Sequence, residues 1–262
     1  MTRVTLRRAV LVASAALLAA CGAAAPPAAT ATRPVVLGEI PHGRSAFTEG
    51  LQLADGVLYE GTGLAGRSEL REVDPATGTV RRTVPLPDGY FGEGVAVVGD
   101  RIWQLTYTDG VALEWDRATL TLRRRVPFTS GEGWGLCLDG ARLVQSEGTD
   151  RLLFRDPVTF AETGSVRVSR DGTPVDELNE LECVDGQVWA NVWRTERLVR
   201  IDPASGRVTA TVDASGLLTP DQAAGTDVMN GIAWLGGDEY LLTGKFWPVM
   251  VRVRLPGDPP AR

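Results

Sequence analysis

Five times along this chain an apolar strand-like run breaks at Asp-Gly or a close substitute and returns as a second run, at residues 54–63, 99–108, 138–147, 184–193 and 236–245. Two-residue turns of this composition between apolar stretches are the strongest short-range signal for a β-hairpin. Four copies continue into a third strand that ends at an Asp-centred turn, at Asp74, Asp116, Asp156 and Asp202, before a fourth strand such as residues 79–86 or 207–212. The repeating unit is a four-stranded meander, and repetition at this period constrains the chain to a repeat architecture. The fifth copy stops after its third strand at residues 250–255. The N-terminal run at residues 35–40 can supply its fourth strand, closing a ring and hiding two exposed edges. The sequence therefore predicts an all-β fold: a five-bladed β-propeller of four-stranded antiparallel blades, the N-terminal strand closing the last blade, without helices.

The residues before the repeats read differently. Arg3, Arg7 and Arg8 precede an apolar run from Ala9 to Leu18, and Leu18-Ala19-Ala20-Cys21 closes it, the pattern of a secretion signal. Small residues directly before a cysteine resemble the lipobox of bacterial lipoproteins. An ordinary signal peptide cut elsewhere would leave Cys21 an unexplained thiol in an exported chain. The expected organisation is a lipoprotein signal peptide at 1–20, an Ala/Pro-rich tether at 21–34 lipidated on Cys21, a catalytic propeller at 35–257 and a tail at 258–262. Such a chain would be exported and lipid-anchored to a bacterial membrane, periplasmic or cell-surface, touching the membrane through its anchor alone. Loss of residues 1–20 leaves 24 basic against 33 acidic side chains, which argues against a nucleic-acid partner.

Aligning the repeats brings distant polar residues to one level. Ten residues before the equivalent second-strand positions Tyr59, Trp103, Leu143, Trp189 and Tyr240 stand Glu49, Glu93, Gly133, Asn179 and Asn230. The first strand of each propeller blade lines the central channel, so this column forms a ring at one mouth. Fourteen residues further on, Gly63, Tyr107, Glu147, Trp193 and Gly244 return to that mouth, beside Lys245. Lys245 is the single lysine against 26 arginines, a compact ammonium where a guanidinium fork would not serve. Two of the chain's three asparagines lie in the ring. Phe47, Phe91, Trp134 and Trp193 add apolar walls, whereas Trp103, Trp115, Trp189 and Trp234 are assigned to blade packing.

Phe47-Thr48-Glu49-Gly50 and Phe91-Gly92-Glu93-Gly94 repeat an aromatic, a carboxylate and a glycine 44 residues apart. The glycines around Glu93 would let the backbone approach a ligand closely. An aromatic wall would desolvate the Glu93 carboxyl and raise its pKa toward the range useful for proton transfer. The plainer reading, that a ring carboxylate satisfies backbone N–H groups at a strand start, fits Glu49 better than Glu93. His42 is the sole histidine, which excludes a histidine-rich zinc site and leaves serine–histidine catalysis resting on one residue. Cys137 and Cys183 occupy equivalent positions in neighbouring blades. They form a disulfide or remain two buried thiols, since equivalent strands can stand too far apart to be bridged.

Residues 46–51 (AFTEGL), 91–95 (FGEGV), 103–107 (WQLTY), 132–136 (EGWGL), 178–182 (LNELE), 188–193 (VWANVW), 229–234 (MNGIAW) and 242–248 (LTGKFWP) resemble, in that order, motifs of the plant-type glutaminyl-peptide cyclotransferases. These are five-bladed propellers of plants and bacteria. The resemblance implies conversion of N-terminal glutamine on peptides to pyroglutamate with release of ammonia, and no metal or other cofactor. It carries the proton-transfer role onto Glu93, catalytic roles onto Asn179 and Lys245, and pocket walls onto Trp134 and Trp193. Phe47, Glu49, Phe91, Tyr107 and Asn230 complete the expected substrate contacts. Three positions depart from the family pattern: Glu49 where glutamine is frequent, Tyr107 where tryptophan is common, and His42-Gly43-Arg44 where His-Asp-Pro is usual. Two other readings remain at this stage. One is a calcium-dependent lactonase or esterase using Glu49, Glu93, Asn179 and Asn230 as oxygen ligands. The other is a non-catalytic peptide-binding propeller.

Overall fold

The computed structural model describes residues 31–129 and 131–256. The expected signal peptide, Cys21 and the 258–262 tail lie outside the described residues. Strand β1 (Val35–Pro41) comes first. Blade 1 follows as β2 (Thr48–Ala54), β3 (Val57–Thr62), β4 (Glu69–Val73) and β5 (Val80–Pro85). Blade 2 is β6 (Gly92–Val98), β7 (Arg101–Thr106), β8 (Val111–Asp116) and β9 (Leu122–Pro127). Blade 3 is β10 (Leu136–Asp139), β11 (Arg142–Ser146), β12 (Arg151–Arg155) and β13 (Glu162–Arg167). A short hairpin, β14 (Ser169–Arg170) and β15 (Thr173–Pro174), precedes blade 4, which is β16 (Leu178–Val184), β17 (Gln187–Val192), β18 (Arg197–Asp202) and β19 (Arg207–Asp213). Blade 5 is β20 (Met229–Gly236), β21 (Glu239–Gly244) and β22 (Val249–Arg254).

Each blade is an antiparallel meander, and β1 pairs with β22 from Val35 opposite Arg254 to Pro41 opposite Val249. The five-bladed ring closed by its N-terminal strand is thus the observed fold. The turns work as their residues require. Asp55-Gly56 and Asp185-Gly186 take positive φ at both positions, the backbone that joins two strands with matching twist. Asp74, Asp116, Asp156 and Asp202 each turn a carboxylate back onto backbone N–H groups two or three residues on.

Two features depart from the expectation. Asp171-Gly172 makes an extra hairpin that adds β14 and β15 to the outer edge of blade 4. A 3₁₀ turn at Pro87–Gly89 and one α-helical turn, α1 (Pro220–Ala223), break the all-strand pattern, the latter started by a capping box between Thr219 and Gln222.

Apolar burial is divided among the blade interfaces. Tyr59, Leu70, Ile102 and Trp115 pack between blades 1 and 2; Trp103, Leu136 and Phe160 between blades 2 and 3. Val144, Leu181 and Val188 fill the next interface, Trp189, Ile232 and Tyr240 the fourth, and Leu51, Leu58 and Met250 the seam between blades 5 and 1. Trp103, Trp115 and Trp189 are fully buried there, and Trp234 packs partly buried against the fourth cluster.

The centre is crowded backbone. A Cβ on Gly50 would come within 2.6 Å of the Val95 nitrogen, and one on Gly94 within 2.6 Å of the Trp134 oxygen. The glycine after each ring glutamate therefore exists for strand-to-strand contact, as does Gly92 against Thr62. This corrects the expectation that Gly92 and Gly94 admit a ligand. The same convergence brings the Cα atoms of Cys137 and Cys183 to 5.5 Å, and they form a disulfide between β10 and β16. Backbone N–H groups across the channel are satisfied by Glu180, which accepts from Leu51 and Ile232, and not by the ring glutamates.

Candidate active site

The starts of four inner strands share an irregularity. Register shifts fall between Thr48 and Gly50, Gly92 and Val95, Leu178 and Leu181, and Met229 and Ile232. Glu49, Glu93, Asn179 and Asn230 each lie inside one of these bulges, which re-aim side chains out of the regular pleat.

Above them is a cup of about 180 Å³ lined by Phe47, Glu49, Phe91, Glu93, Tyr107, Trp134, Asn179, Trp193 and Lys245. Phe91 stands edge-on to Phe47 at 6.0 Å between centroids and tilts against Tyr107 at 5.7 Å. Across the cup Trp134 and Trp193 meet edge to face at 5.3 Å. Small residues make room for the rings: Gly63 lies against Phe91 and Phe47, and Gly148 against Trp134.

The floor is polar and buried. Lys245 Nζ lies 2.8 Å from Glu49 Oε1 and 4.5 Å from the Phe47 ring centroid. A hydrogen bond joins the carboxyl groups of Glu49 and Glu93. Burial pushes Glu49 up to about 7, with Lys245 pulling the other way. Glu93 is held well above the ordinary carboxylate range, first by burial and then by the charge of Glu49, against the pull of Lys245. The pair therefore keeps a proton that two isolated carboxylates would lose. Asn179 adds a side-chain amide, 3% exposed, whose oxygen has no hydrogen-bond partner. An unsatisfied buried amide in a cup is a group set for a ligand.

Two residues expected at the mouth stand elsewhere. Asn230 does not line the cup: fully buried one layer below, it donates to Glu49 Oε2 at 3.0 Å and to the Thr48 carbonyl. Glu147 turns outward onto Arg151 at 2.8 Å. His42 sits outside the cup, buried between Glu60 and the Trp247 carbonyl. Sequence reasoning missed Glu132, which accepts the indole N–H of Trp134 at 2.9 Å and whose charge helps to hold the Tyr107 hydroxyl protonated. Its signal was an acid directly before the one ring position, Gly133, that lacks a side chain. Among the described residues no cluster of three His, Cys, Asp or Glu side chains could hold a metal.

Comparison with known proteins places this geometry. The chain is 37% identical over 225 residues to the glutaminyl-peptide cyclotransferase of Arabidopsis thaliana, covering 84% of this chain and 70% of that protein. The crystal structure of Myxococcus xanthus glutaminyl cyclase superposes with a TM-score of 0.76 at 36% identity, covering 86% of this chain and 98% of the other. A nidogen/laminin complex structure, at 15% identity, a TM-score of 0.53 and coverage of 76% of this chain and 73% of that one, shares the fold alone. The profile of the glutamine cyclotransferase family matches residues 9–255, spanning all five blades and the cup, and the chain belongs to that family.

Proposed function

We propose that this protein is a glutaminyl-peptide cyclotransferase whose chemistry centres on Glu93. The observation that carries the reading is a protonatable Glu93, beside Glu49, in a small aromatic cup that also presents Lys245 and the Asn179 amide, whose oxygen has no partner. A peptide's N-terminal glutamine enters with its α-amine neutral, and the aromatic walls fold the side chain back on the amine, lowering the entropic barrier to ring closure. The α-nitrogen attacks the side-chain carboxamide carbon and forms the new C–N bond. Negative charge gathering on the carboxamide oxygen faces the Lys245 ammonium and is open to donation from the side-chain N–H groups of Asn179. The proton lost by the attacking nitrogen passes to Glu93, and Glu93 delivers a proton to the departing nitrogen. The old C–N bond then breaks, ammonia leaves and pyroglutamate remains.

A raised pKa suits Glu93 to both transfers, because general acid–base catalysis is most efficient near the working pH. Ammonia release from a Gln-Ala peptide tests the assignment. Glu93→Gln is expected to lower kcat by about 10²- to 10⁴-fold with an unchanged thermal melt; near-normal turnover removes Glu93 from the mechanism. Lys245 supplies positive charge at the reacting atoms, so chelator treatment should leave turnover in place, whereas the calcium-dependent alternative requires its loss.

The natural setting follows from the same chain. The Cys137–Cys183 disulfide suits an oxidising compartment. Together with the lipobox-like run ending at Cys21, it supports a lipid-anchored, extracytoplasmic protein. Cys21→Ser should move the protein from the membrane fraction to the soluble fraction of a bacterial host; unchanged fractionation rejects the anchor.

A further inference from the structure

The contacts of Glu132 serve neither the ring nor the proton pair. Half-buried where blades 2 and 3 meet, Glu132 takes the indole N–H of Trp134 on Oε2 at 2.9 Å, and its charge favours the proton of the neighbouring Tyr107 hydroxyl. An indole N–H can only donate, so this carboxyl group acts as its acceptor. Trp134 and Tyr107 are adjoining walls of the cup. With its proton directed at Glu132, the phenol offers the cup nothing but oxygen lone pairs. That matters to an attacking amine. Glu93 takes one of its protons, and an acceptor on another N–H sets the rotation that points the nitrogen lone pair at the carboxamide carbon. A hydroxyl free to turn would instead donate to that lone pair and oppose attack.

We propose that Glu132 is a positioning residue: it fixes the direction of the Tyr107 hydroxyl so that Tyr107 accepts a hydrogen bond from the substrate's α-amine, and it anchors Trp134 as the neighbouring wall. The assignment rests on the cyclotransferase reading. Tyr107 is also held in its protonated form, first by burial and then by Glu132, Glu93 and Glu49, the acidic groups that face it from the loop before β10, from β6 and from β2.

A double-mutant cycle with a spectroscopic control tests it. Tyr107→Phe removes the acceptor and should lower kcat/KM for a Gln-initiated peptide about tenfold, the scale of one hydrogen bond. Glu132→Gln should cost at least as much, because its amide can donate to the phenol oxygen and turn the hydroxyl into the cup. Once the hydroxyl is gone Glu132 keeps only its hold on Trp134, so the double variant should be no worse than Glu132→Gln alone. Losses that multiply to about a hundredfold show two independent roles and overturn the proposal. Independently of turnover, the ultraviolet difference titration between the wild type and Tyr107→Phe isolates the ionisation of Tyr107. It should move down in Glu132→Gln, and an unmoved titration overturns the hydrogen bond even in an active enzyme. A titration that moves in Glu132→Gln while the wild type releases no ammonia overturns the assignment to the substrate amine along with the cyclotransferase reading. Matching thermal melts for the three variants exclude loss of fold as the cause.

Discussion

Two glutamates, eleven residues apart on the first hairpin, are both buried beside a cation and behave in opposite ways. Glu60 accepts from Thr48 Oγ1 at 2.8 Å and from His42 Nε2 at 2.9 Å, and Arg71 stands 3.4 Å away. Burial alone would raise its pKa, yet His42, Arg71 and Thr48 outweigh burial and hold Glu60 below the ordinary value. Glu49 also has a cation, Lys245 at 2.8 Å, and an amide donor, Asn230, but burial outweighs both and pushes it up to about 7. The Glu60 cluster lies where the closing strand meets blades 1 and 5, since His42 follows β1 and its backbone N–H donates to Pro248. The first cluster is satisfied and serves closure of the ring. The second keeps one carboxyl too many for its donors, and that surplus gives the cup a mobile proton.

The largest expected effect separates them directly. Glu60→Gln removes the charge that balances buried His42 and Arg71, and should cost about 3 kcal/mol of stability, near the lower end for breaking a buried pair. Glu49→Gln removes a carboxyl group that burial penalises while Glu93 remains to balance Lys245, so it should leave the melting temperature level or raised at neutral pH, with ammonia release still measurable. Urea denaturation of both variants decides the matter. An equal loss in the two would show that the Glu49 pair also holds the ring together, and the contrast would fail.

The pH dependence of stability follows next in size. His42 is raised above its ordinary 6.5: burial opposes its charge, but Glu60 and the Trp247 carbonyl favour it. A raised group stabilises the fold below its unfolded pKa and loses that contribution as pH climbs through its folded value. Glu60, lowered from 4.5, contributes above that value and loses its contribution as pH falls through its folded pKa. The closure cluster is therefore strongest between 4.5 and 6.5. Glu49, raised from 4.5 to about 7, works against the fold progressively across that interval. Melting temperatures should peak in mildly acidic buffer and fall toward pH 8. In Glu49→Gln the fall between 4.5 and about 7 should flatten, while the loss above 6.5 from His42 remains. Parallel curves for wild type and variant would mean that Glu49 does not titrate in the folded protein.

This contrast also marks what the sequence made legible. Turn chemistry is local, so Asp-Gly and Asp-centred turns disclosed five blades, and counting along them put Glu49, Glu93, Asn179 and Lys245 at one mouth. Phase within a bulge is not local. Asn230 has the right count but sits in the shift between Met229 and Ile232, which turns it beneath Glu49. The disulfide depended on how closely inner strands converge, a property of the closed ring. Glu132 was invisible as a functional group until the Tyr107 hydroxyl and the Trp134 indole were seen on either side of it. The satisfied state of Glu60 needed three partners from separate segments, His42, Thr48 and Arg71, each more than ten residues away from it in the chain.

The smallest expected effect probes the boundary between the clusters. Thr48 and Glu49 are consecutive at the bulged start of β2, which sends their side chains to different places. The Thr48 hydroxyl donates to Glu60, while its carbonyl accepts from Asn230, which in turn supports Glu49. Thr48→Val deletes the hydroxyl donor and keeps the carbonyl. It should cost about 2 kcal/mol, the scale of a hydrogen bond to a charged group. Ammonia release per folded molecule should stay at the wild-type level, because the carbonyl still holds Asn230 in place. If kcat falls along with stability, the strand start transmits strain from Glu60 to Glu49. The closure and the cup would then form one cooperative unit, and their opposite pKa shifts would be two ends of a single strained arrangement.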